Sequence, residues 1–595
     1  MALDNLIRLL DTGRPGLMLV AITSTIALTF VVFHVFTVWW RLRHVPGPFW
    51  ASLSDIPRML WVTTKKAHLI HQQLHDKYGE VVRVGPNTVI FRDPTAIPTV
   101  YPMRAGFPKS NFYAVLRPYQ RGSSPLVAVF NSQDEQLHKQ IKSPIAPLFS
   151  LTNASKFEGV VDDVLAVLKR ELDSRFAASG QVFDLGDWCQ YFAFDVMGTM
   201  TFSKRYGFVE EGRDVGGMLD AIQSFMRMVA PMTQNYWLDK ILYKNRIADA
   251  IRPAPGLGIM QFVGSVIGER RAALANGDVK KISPEGTPRD FLSHFLEIQE
   301  TNKELPPWAP TAWTFSNVTA GSDSVGTVIR TCLYHLLTNP TTLEVLRSEL
   351  EAAKPSTPFP RLAEVRDLPY LDACIQEAAR LHPPFALPFE RIAPEAGVEV
   401  LGIPLPGETV VGGSPYVVNR DKNWFGDDAE LWRPERWVVD DQEKKRLERG
   451  VLTFGAGRRV CLGKALGLME IKKLIPFLLM NFNAEALPGL VLVNRLSKDP
   501  SSSAATIEAG GYAETLLRNI SEVPGLDLNF LITPSPVEIA ATEWGLITTP
   551  PYIFNGPTTE SIHAKAPGGC TVVDCMAYSQ SSSGAFQTWA ATVDD

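Results

Sequence analysis

Apolar and polar positions divide this chain into three unlike stretches. From Leu17 to Trp40 the sequence is apolar almost throughout. The 26 residues between Arg14 and Arg41 contain no lysine, arginine, aspartate or glutamate. A helix over this stretch is about 36 Å long, enough to cross the hydrocarbon core of a bilayer. No small-residue cleavage site follows a shorter apolar run, which argues against a cleaved signal peptide. From Ser52 to Phe482 apolar positions recur with helical spacing, as in Phe157–Phe176 and Thr311–Leu337. Glu80–Phe91 instead alternates around a Gly-Pro-Asn turn and predicts short strands. Beyond Phe482 the periodicity fades. The pattern predicts a mainly α fold with a small β region and one N-terminal transmembrane helix. Its segments are an N-terminal piece (1–16), a span (17–40), a Pro-rich hinge (41–51), a main domain (52–483) and a tail (484–595).

Charge sharpens two of these boundaries. The whole chain carries 58 basic and 63 acidic residues, so no basic excess points to nucleic acid. The tail holds 4 basic against 12 acidic residues, and residues 1–483 hold 54 against 51. Trp39 and Trp40 sit at the interface end of the span, and Arg41 and Arg43 follow, which favours a cytosolic body. In the hinge, Pro46-Gly47-Pro48 forces a stiff turn that should aim the body away from the anchor. Six cysteines (Cys189, Cys332, Cys374, Cys461, Cys570, Cys575) are too few and too scattered for a disulfide scaffold. Cys570 and Cys575 lack zinc-spaced partners and are expected to be structural or free.

The sharpest chemical signal is the run Phe454-Gly-Ala-Gly457-Arg-Arg459-Val-Cys461-Leu-Gly463, which presents one cysteine on a glycine-rich loop just before a helix. Helix N–H groups and the helix dipole favour a thiolate there. Such a thiolate can ligate haem iron; a buried structural cysteine in a glycine turn is the competing reading. Glu377-Ala-Ala-Arg380 places a carboxylate and a guanidinium on one helix face, 81 residues before the cysteine. Gly321, in Ala320-Gly321-Ser322-Asp323-Ser324, interrupts a long helical pattern where alanine would be about 1 kcal/mol better, so it calls for a packing or functional reason.

Together these motifs resemble the cytochrome P-450 superfamily of haem-thiolate monooxygenases over roughly residues 45 to 482. The resemblance implies that fold, with 52–483 as the haem-thiolate catalytic domain. It implies haem b with Cys461 as its iron ligand, held by a loop that includes Phe454, Gly457 and Gly463. Arg436, in Trp432-Arg-Pro434-Glu435-Arg436-Trp437, would complete a structural ion network with Glu377 and Arg380. Gly321 would leave room for dioxygen, and Asp323 and Ser324 would relay protons. The family usually has threonine at the position of Ser324, so the coupling of electrons to product is in question. Arg459, His138, Lys142 and Arg391 would meet the haem propionates. His138-Lys-Gln-Ile-Lys142 departs from the family's pattern, with lysine in place of arginine.

The implied reaction inserts one oxygen atom from O2 into a lipophilic small molecule by hydroxylation, epoxidation or demethylation. The 134 residues after Cys461 are too few for a flavin or nicotinamide domain. NADPH electrons would therefore come through a separate cytochrome P-450 reductase, with cytochrome b5 as an optional second donor. Lys464, Lys472 and Lys473 would favour that acidic partner. The expected location is the endoplasmic reticulum membrane, single-pass, with the catalytic domain cytosolic. Lys109-Ser-Asn-Phe-Tyr113, Tyr191-Phe-Ala-Phe-Asp195 and Thr201-Phe-Ser-Lys-Arg-Tyr206 are similar to fungal enzymes of the pisatin demethylase and benzoate hydroxylase type, which implies secondary metabolism or detoxification. The alternatives are a reductase-independent haem-thiolate isomerase or dehydratase, and a catalytically impaired haem-binding membrane protein. The second arises from the tail. The strand pair that usually closes the family's fold, with a turn lining the pocket, is not visible after Phe482. Most of 500–595 is expected to be loosely attached, the product of an altered reading frame or splice form, leaving the pocket short of one wall.

Overall fold

The computed structural model describes residues 15–118, 125–179, 183–251, 257–276, 288–487 and 490–495. The expectation for residues 500–595, with Cys570 and Cys575, lies outside the described residues.

Helix α1 (Pro15–Arg41) opens on a proline, whose fixed φ suits a first helical turn, and ends on a basic residue. Its stretch Leu19–Arg41 is long and apolar enough to cross a membrane, and none of it packs inside the protein. At the hinge the chain runs hard against the first strand: a Cβ on Gly47 would sit 2.1 Å from the Arg83 carbonyl oxygen, so only glycine fits. Arg83 is buried and donates to the carbonyls of Val38 (3.2 Å) and Trp39 (2.9 Å). Those are last-turn carbonyls that the helix itself leaves without donors. The body thus grips the last turn of α1.

Next come α2 (Ala67–Tyr78), β1 (Val81–Gly85) and β2 (Thr88–Phe91), the strand pair the alternation predicts. Helices α3 (Glu135–Lys142), α4 (Glu158–Leu172), α5 (Leu185–Phe202), α6 (Met218–Met232) and α7 (Leu257–Ala275) follow. The long helix expected over Thr311–Leu337 is two: α8 (Ala309–Gly321) and α9 (Asp323–Thr338), broken at Ser322 with φ −96° and ψ −55°. After α10 (Pro369–Leu381) come β3 (Arg391–Ile392), β4 (Val398–Val400), β5 (Ile403–Leu405) and β6 (Val410–Gly413). The main sheet has the order β1-β2-β6-β3, with β2 and β6 parallel and the other neighbours antiparallel. Helix α11 (Lys464–Asn481) leaves the cysteine loop.

The core lies between helices. Helix α5 packs on α8 and α9, and α9 packs on α10 and α11. Phe192, Trp313, Ile329, Leu371 and Leu474 fill the space between them. Each buried apolar side chain of this size contributes about 1.5–3 kcal/mol. Removing that many side chains from water holds five helices around one cavity.

The sequence expectation misses one element. Strands β7 (Phe482–Leu487) and β8 (Leu490–Arg495) pair antiparallel, from Phe482 opposite Arg495 to Leu487 opposite Leu490. The signal was local: a Pro-Gly dipeptide followed by Leu490-Val491-Leu492-Val493. The domain boundary expected at 483 falls inside β7.

Candidate active site

A cavity of about 390 Å³ lies between α8 and α9 on one side and the cysteine loop on the other. Its wall is mostly apolar, as small-molecule sites generally are. Among the described residues, none beyond Ile471 lines it.

The cysteine loop is shaped by backbone demands. Gly455 and Gly457 have φ of +65° and +62°. A Cβ on Gly457 would meet the Tyr101 carbonyl oxygen at 2.1 Å, so glycine is required twice over. Gly457 is absent from the cavity wall. It seats the loop on the Tyr101–Pro102 backbone. Phe454, Arg459, Cys461 and Gly463 do line the cavity. The Cys461 N–H donates to the Phe454 carbonyl at 2.8 Å, closing the loop. Cys461 opens onto the cavity. Burial pushes its thiol pKa up, while the N–H groups of Gly463 and Lys464 and the Lys464 and Lys142 charges pull against that.

Cations gather on one wall. Arg459, Lys142, Arg391 and Lys109 all line the cavity, as does His138. Burial first, then mutual repulsion, lowers the pKa values of Lys109, Lys142 and Arg459, the last to about 10. His138 is pushed to about 2 by burial and these neighbours, so its ring is neutral. Arg391 donates to Tyr113 Oη at 3.2 Å and to the Glu390 carbonyl. Lys142 donates to the Arg458 carbonyl at 3.0 Å. Arg459 Nη1 donates to the Ser132 carbonyl at 3.0 Å, but its Nε and Nη2 are buried without a partner.

Such a concentration of buried positive charge is costly unless an anion joins it. A planar macrocycle carrying two carboxylates fits this wall. A Cβ on Gly463, on the same cavity, would meet no protein atom within 4 Å. Lys109 was quoted in the sequence only as part of a motif. Its ammonium lies 4.0 Å from the Tyr113 ring centre and 4.3 Å from that of Phe130, and donates to the Phe130 carbonyl. A lysine set among aromatic residues was the signal available.

On the opposite wall, α8 gives way to α9. Gly321 has a packing role, because a Cβ there would collide with the Met197 side chain of α5 at 2.7 Å. Ser324 Oγ donates to the Ala320 carbonyl at 2.8 Å across the break. Asp323 is buried and accepts from Gln190 Nε2 at 2.7 Å. Burial raises its pKa to about 7, with Gln190 and Arg330 pulling the other way. Both protonation states are therefore accessible near neutral pH. Gln190 escaped the sequence reading because it lies 133 residues away on another helix.

Glu377, Arg380 and Arg436 come together outside the cavity wall. Arg380 meets both Glu377 oxygens, at 2.7 and 2.8 Å, and Trp437 Nε1 donates to Oε2 at 2.8 Å. Arg436 Nε reaches Oε1 at 3.4 Å and Nη1 reaches Asp428 at 3.0 Å. Burial pushes the Glu377 carboxyl up, but Arg380, Arg436 and Trp437 outweigh it and hold the pKa below its usual value.

The expected lysine patch does not form. Lys473 is fully buried and paired with Glu158 (2.8 Å) and Asp162 (2.7 Å). Lys472 bonds Asp372 at 2.9 Å. Lys464 is exposed, with its ammonium 5.0 Å from the Phe454 ring centre. Side chains at 472 and 473 turn inward because α11 packs against α4 and the segment before α10.

A family model described as "Cytochrome P450" matches residues 46–506. The chain is 57% identical over 458 residues to the cytochrome P450 monooxygenase mfmA of Annulohypoxylon moriforme, covering 76% of this chain and 89% of that protein. It is 52% identical over 462 residues to the cytochrome P450 monooxygenase pkfB of Emericella nidulans, covering 77% and 90%. It is 48% identical over 463 residues to the cytochrome P450 monooxygenase asR2 of Sarocladium schorii, covering 77% and 90%. The chain belongs to the cytochrome P450 family: it is a haem monooxygenase, an oxidoreductase that draws on O2 and on NAD(P)H electrons delivered through a reductase.

Proposed function

We propose that this enzyme oxygenates a lipophilic small molecule in fungal secondary metabolism or detoxification, by hydroxylation, epoxidation or demethylation. One observation carries the reading. A cysteine at the foot of α11 faces the same cavity as a buried acid near neutral pKa and a wall of buried cations. Haem, when bound, supplies activation of dioxygen and transfer of one of its atoms to the substrate.

The residues of this chain do the rest. Cys461 would hold the iron through its thiolate, which the N–H groups of Gly463 and Lys464 favour. Arg459, Lys142, Lys109 and Arg391 would neutralise the two carboxylates, and His138 would take part through its neutral ring. Asp323 takes up and releases protons at its carboxylate, held by Gln190. Ser324 Oγ donates to Ala320 and can still accept a proton from the acid's side. Phe130, Phe385 and Phe389 exclude water from the reacting carbon. The Glu377–Arg380–Arg436 network holds the core beneath the cysteine loop. The balance is one O2, one NADPH and one proton consumed for one oxygen inserted and one water released.

Helix α1 and the basic residues that follow it support an endoplasmic-reticulum anchor with a cytosolic body. An NADPH-cytochrome P450 reductase is the natural donor there. Incubating the full chain with reductase, NADPH and 18O2 tests the reading on a panel of lipophilic aromatics. Hydroxylation or epoxidation should give product carrying one 18O atom, and demethylation should release the label in formaldehyde. Product that forms equally without NADPH would replace this reading with the isomerase or dehydratase.

A further inference from the structure

On α8 the cavity holds an uncharged polar group that the haem does not explain. Asn317 lies on α8, is 7% exposed, and lines the cavity, yet its Nδ2 has no hydrogen-bond partner. Four other uncharged polar side chains of the cavity are bonded within the protein. Asn131 accepts from the Ala128 N–H at 2.7 Å and donates to the Leu126 carbonyl. Thr319 donates to Phe315, Ser324 to Ala320, and Thr453 to Ala379. A buried amide donor left without an acceptor costs about 1–3 kcal/mol. Native proteins tolerate few such groups, and each calls for an explanation.

The surroundings narrow what could meet it. Ile222, Phe225 and Met226 of α6, Ile259 of α7 and Phe315 of α8 line the same cavity and are apolar. The cations of the wall cluster around Arg459 and Arg391, the groups assigned above to the haem carboxylates. An amide among apolar side chains suits a neutral oxygen better than a carboxylate, which would stay unpaired there. Asn317 and Gly321 are four residues apart and so share one face of α8. The acceptor would lie about one helical turn, ~5.4 Å along the axis, from the break at Ser322.

From this placement we infer that Asn317 selects substrates that carry a neutral oxygen acceptor, a ketone, lactone or aryl ether, on an apolar aromatic body. The inference rests on the monooxygenase reading and deepens it. Asn317 is a specificity-determining residue: it sets which molecules bind and which carbon faces the reactive centre.

Binding, not turnover, tests it. Haem-loaded full-length enzyme is titrated with 2-acetylnaphthalene and with 2-ethylnaphthalene, which share size and ring and differ by one carbonyl. Dissociation constants are read from the substrate-induced shift of the haem absorption. The wild type should bind the ketone about tenfold more tightly than the hydrocarbon. Asn317→Leu should bring the two constants together, by weakening the ketone alone. Asn317→Ser, which keeps a smaller donor, should retain part of the preference. A wild type with no preference overturns the inference without recourse to a variant, as does an Asn317→Leu protein that keeps the full preference. The reduced carbonyl spectrum separates the two levels of the argument. With the thiolate band present, a missing preference refutes the role of Asn317 alone; with the band absent, the monooxygenase reading falls and the inference with it.

Discussion

Around Glu377 buried charges are matched atom for atom, whereas around the cavity they are not. Both Glu377 oxygens and all three Arg380 guanidinium nitrogens have partners within hydrogen-bond distance. At the cavity, Arg459 Nε and Nη2, Asn317 Nδ2 and both Glu470 carboxyl oxygens have none. Glu470 is as fully buried as Glu377 and Arg380, so exposure alone does not separate the two regions. What separates them is completeness. A closed polar network stabilises a fold, and an open one is finished by something that binds. The closed bonding of Glu377, Arg380 and Arg436 is what the structural ion network expected from the sequence requires. Asn317 looks like an ordinary helix residue in the sequence and behaves as a binding group.

The largest expected effect is at Cys461. Cys461→Ala should remove the thiolate band of the reduced carbonyl complex and all oxygenation, while far-ultraviolet circular dichroism stays unchanged. Persistence of the band would mean another residue ligates the iron. The second test sets the two regions directly against each other. Glu377→Gln leaves Arg380 buried without its counter-charge, so it should cost the apoprotein about 3–5 kcal/mol in denaturant unfolding. Arg459→Gln removes a charge whose Nε and Nη2 have no partner and whose Nη1 meets only the neutral Ser132 carbonyl, so the apoprotein should lose little stability. Its haem, however, should pass to apomyoglobin several times faster. Equal destabilisation of the two apoproteins would erase the distinction between closed and open networks.

The sequence made the closed parts legible because their partners are close in the chain. Cys461 and Gly463 belong to one loop, Glu377 and Arg380 to one helical turn, and β1 and β2 to one hairpin. The spacing alone places each pair. Contacts between distant segments were another matter. Gln190 meets Asp323 across 133 positions, and Lys473 meets Glu158 across 315. No periodicity announces such pairs. Lys473 was consequently read as a surface charge, and the packing of α11 makes it a buried one. Gly321 lines the cavity, and Met197 of α5, 124 positions earlier, lies against the place a Cβ would take. The break at Ser322 was invisible because its residues sit comfortably in a helical pattern.

That break supplies a test of smaller effect. Ser324 Oγ is held on the Ala320 carbonyl, and serine, lacking the methyl of threonine, is less restricted in χ1. Ser324→Thr should raise product formed per NADPH about twofold, and Ser324→Ala should lower it, with peroxide changing inversely. Asp323→Asn should lower it further, because the amide carries no transferable proton. Equal product per NADPH in all four proteins would show that neither residue carries protons to the reaction.

The smallest effect concerns Glu470, the most nearly isolated charge in the open region. Its side chain is fully buried on α11 at the cavity, and burial alone pushes its pKa well above the usual carboxyl value. The folded protein therefore keeps this proton over a pH range in which the unfolded chain, titrating near 4.5, releases it. Stability from this group is fully present below the unfolded value and is lost as pH rises toward the folded one. Glu470→Gln cannot ionise in either state and should be free of that loss. Glutamine also carries one more N–H than a protonated carboxyl, a penalty that is the same at every pH. The informative quantity is thus the change in the wild-type-minus-variant difference between pH 4 and pH 7, measured by urea unfolding. It should move in favour of the variant at pH 7. A difference that stays constant between the two pH values would mean that Glu470 is ionised and paired in the folded protein, and that it belongs with Glu377 on the closed side of the comparison.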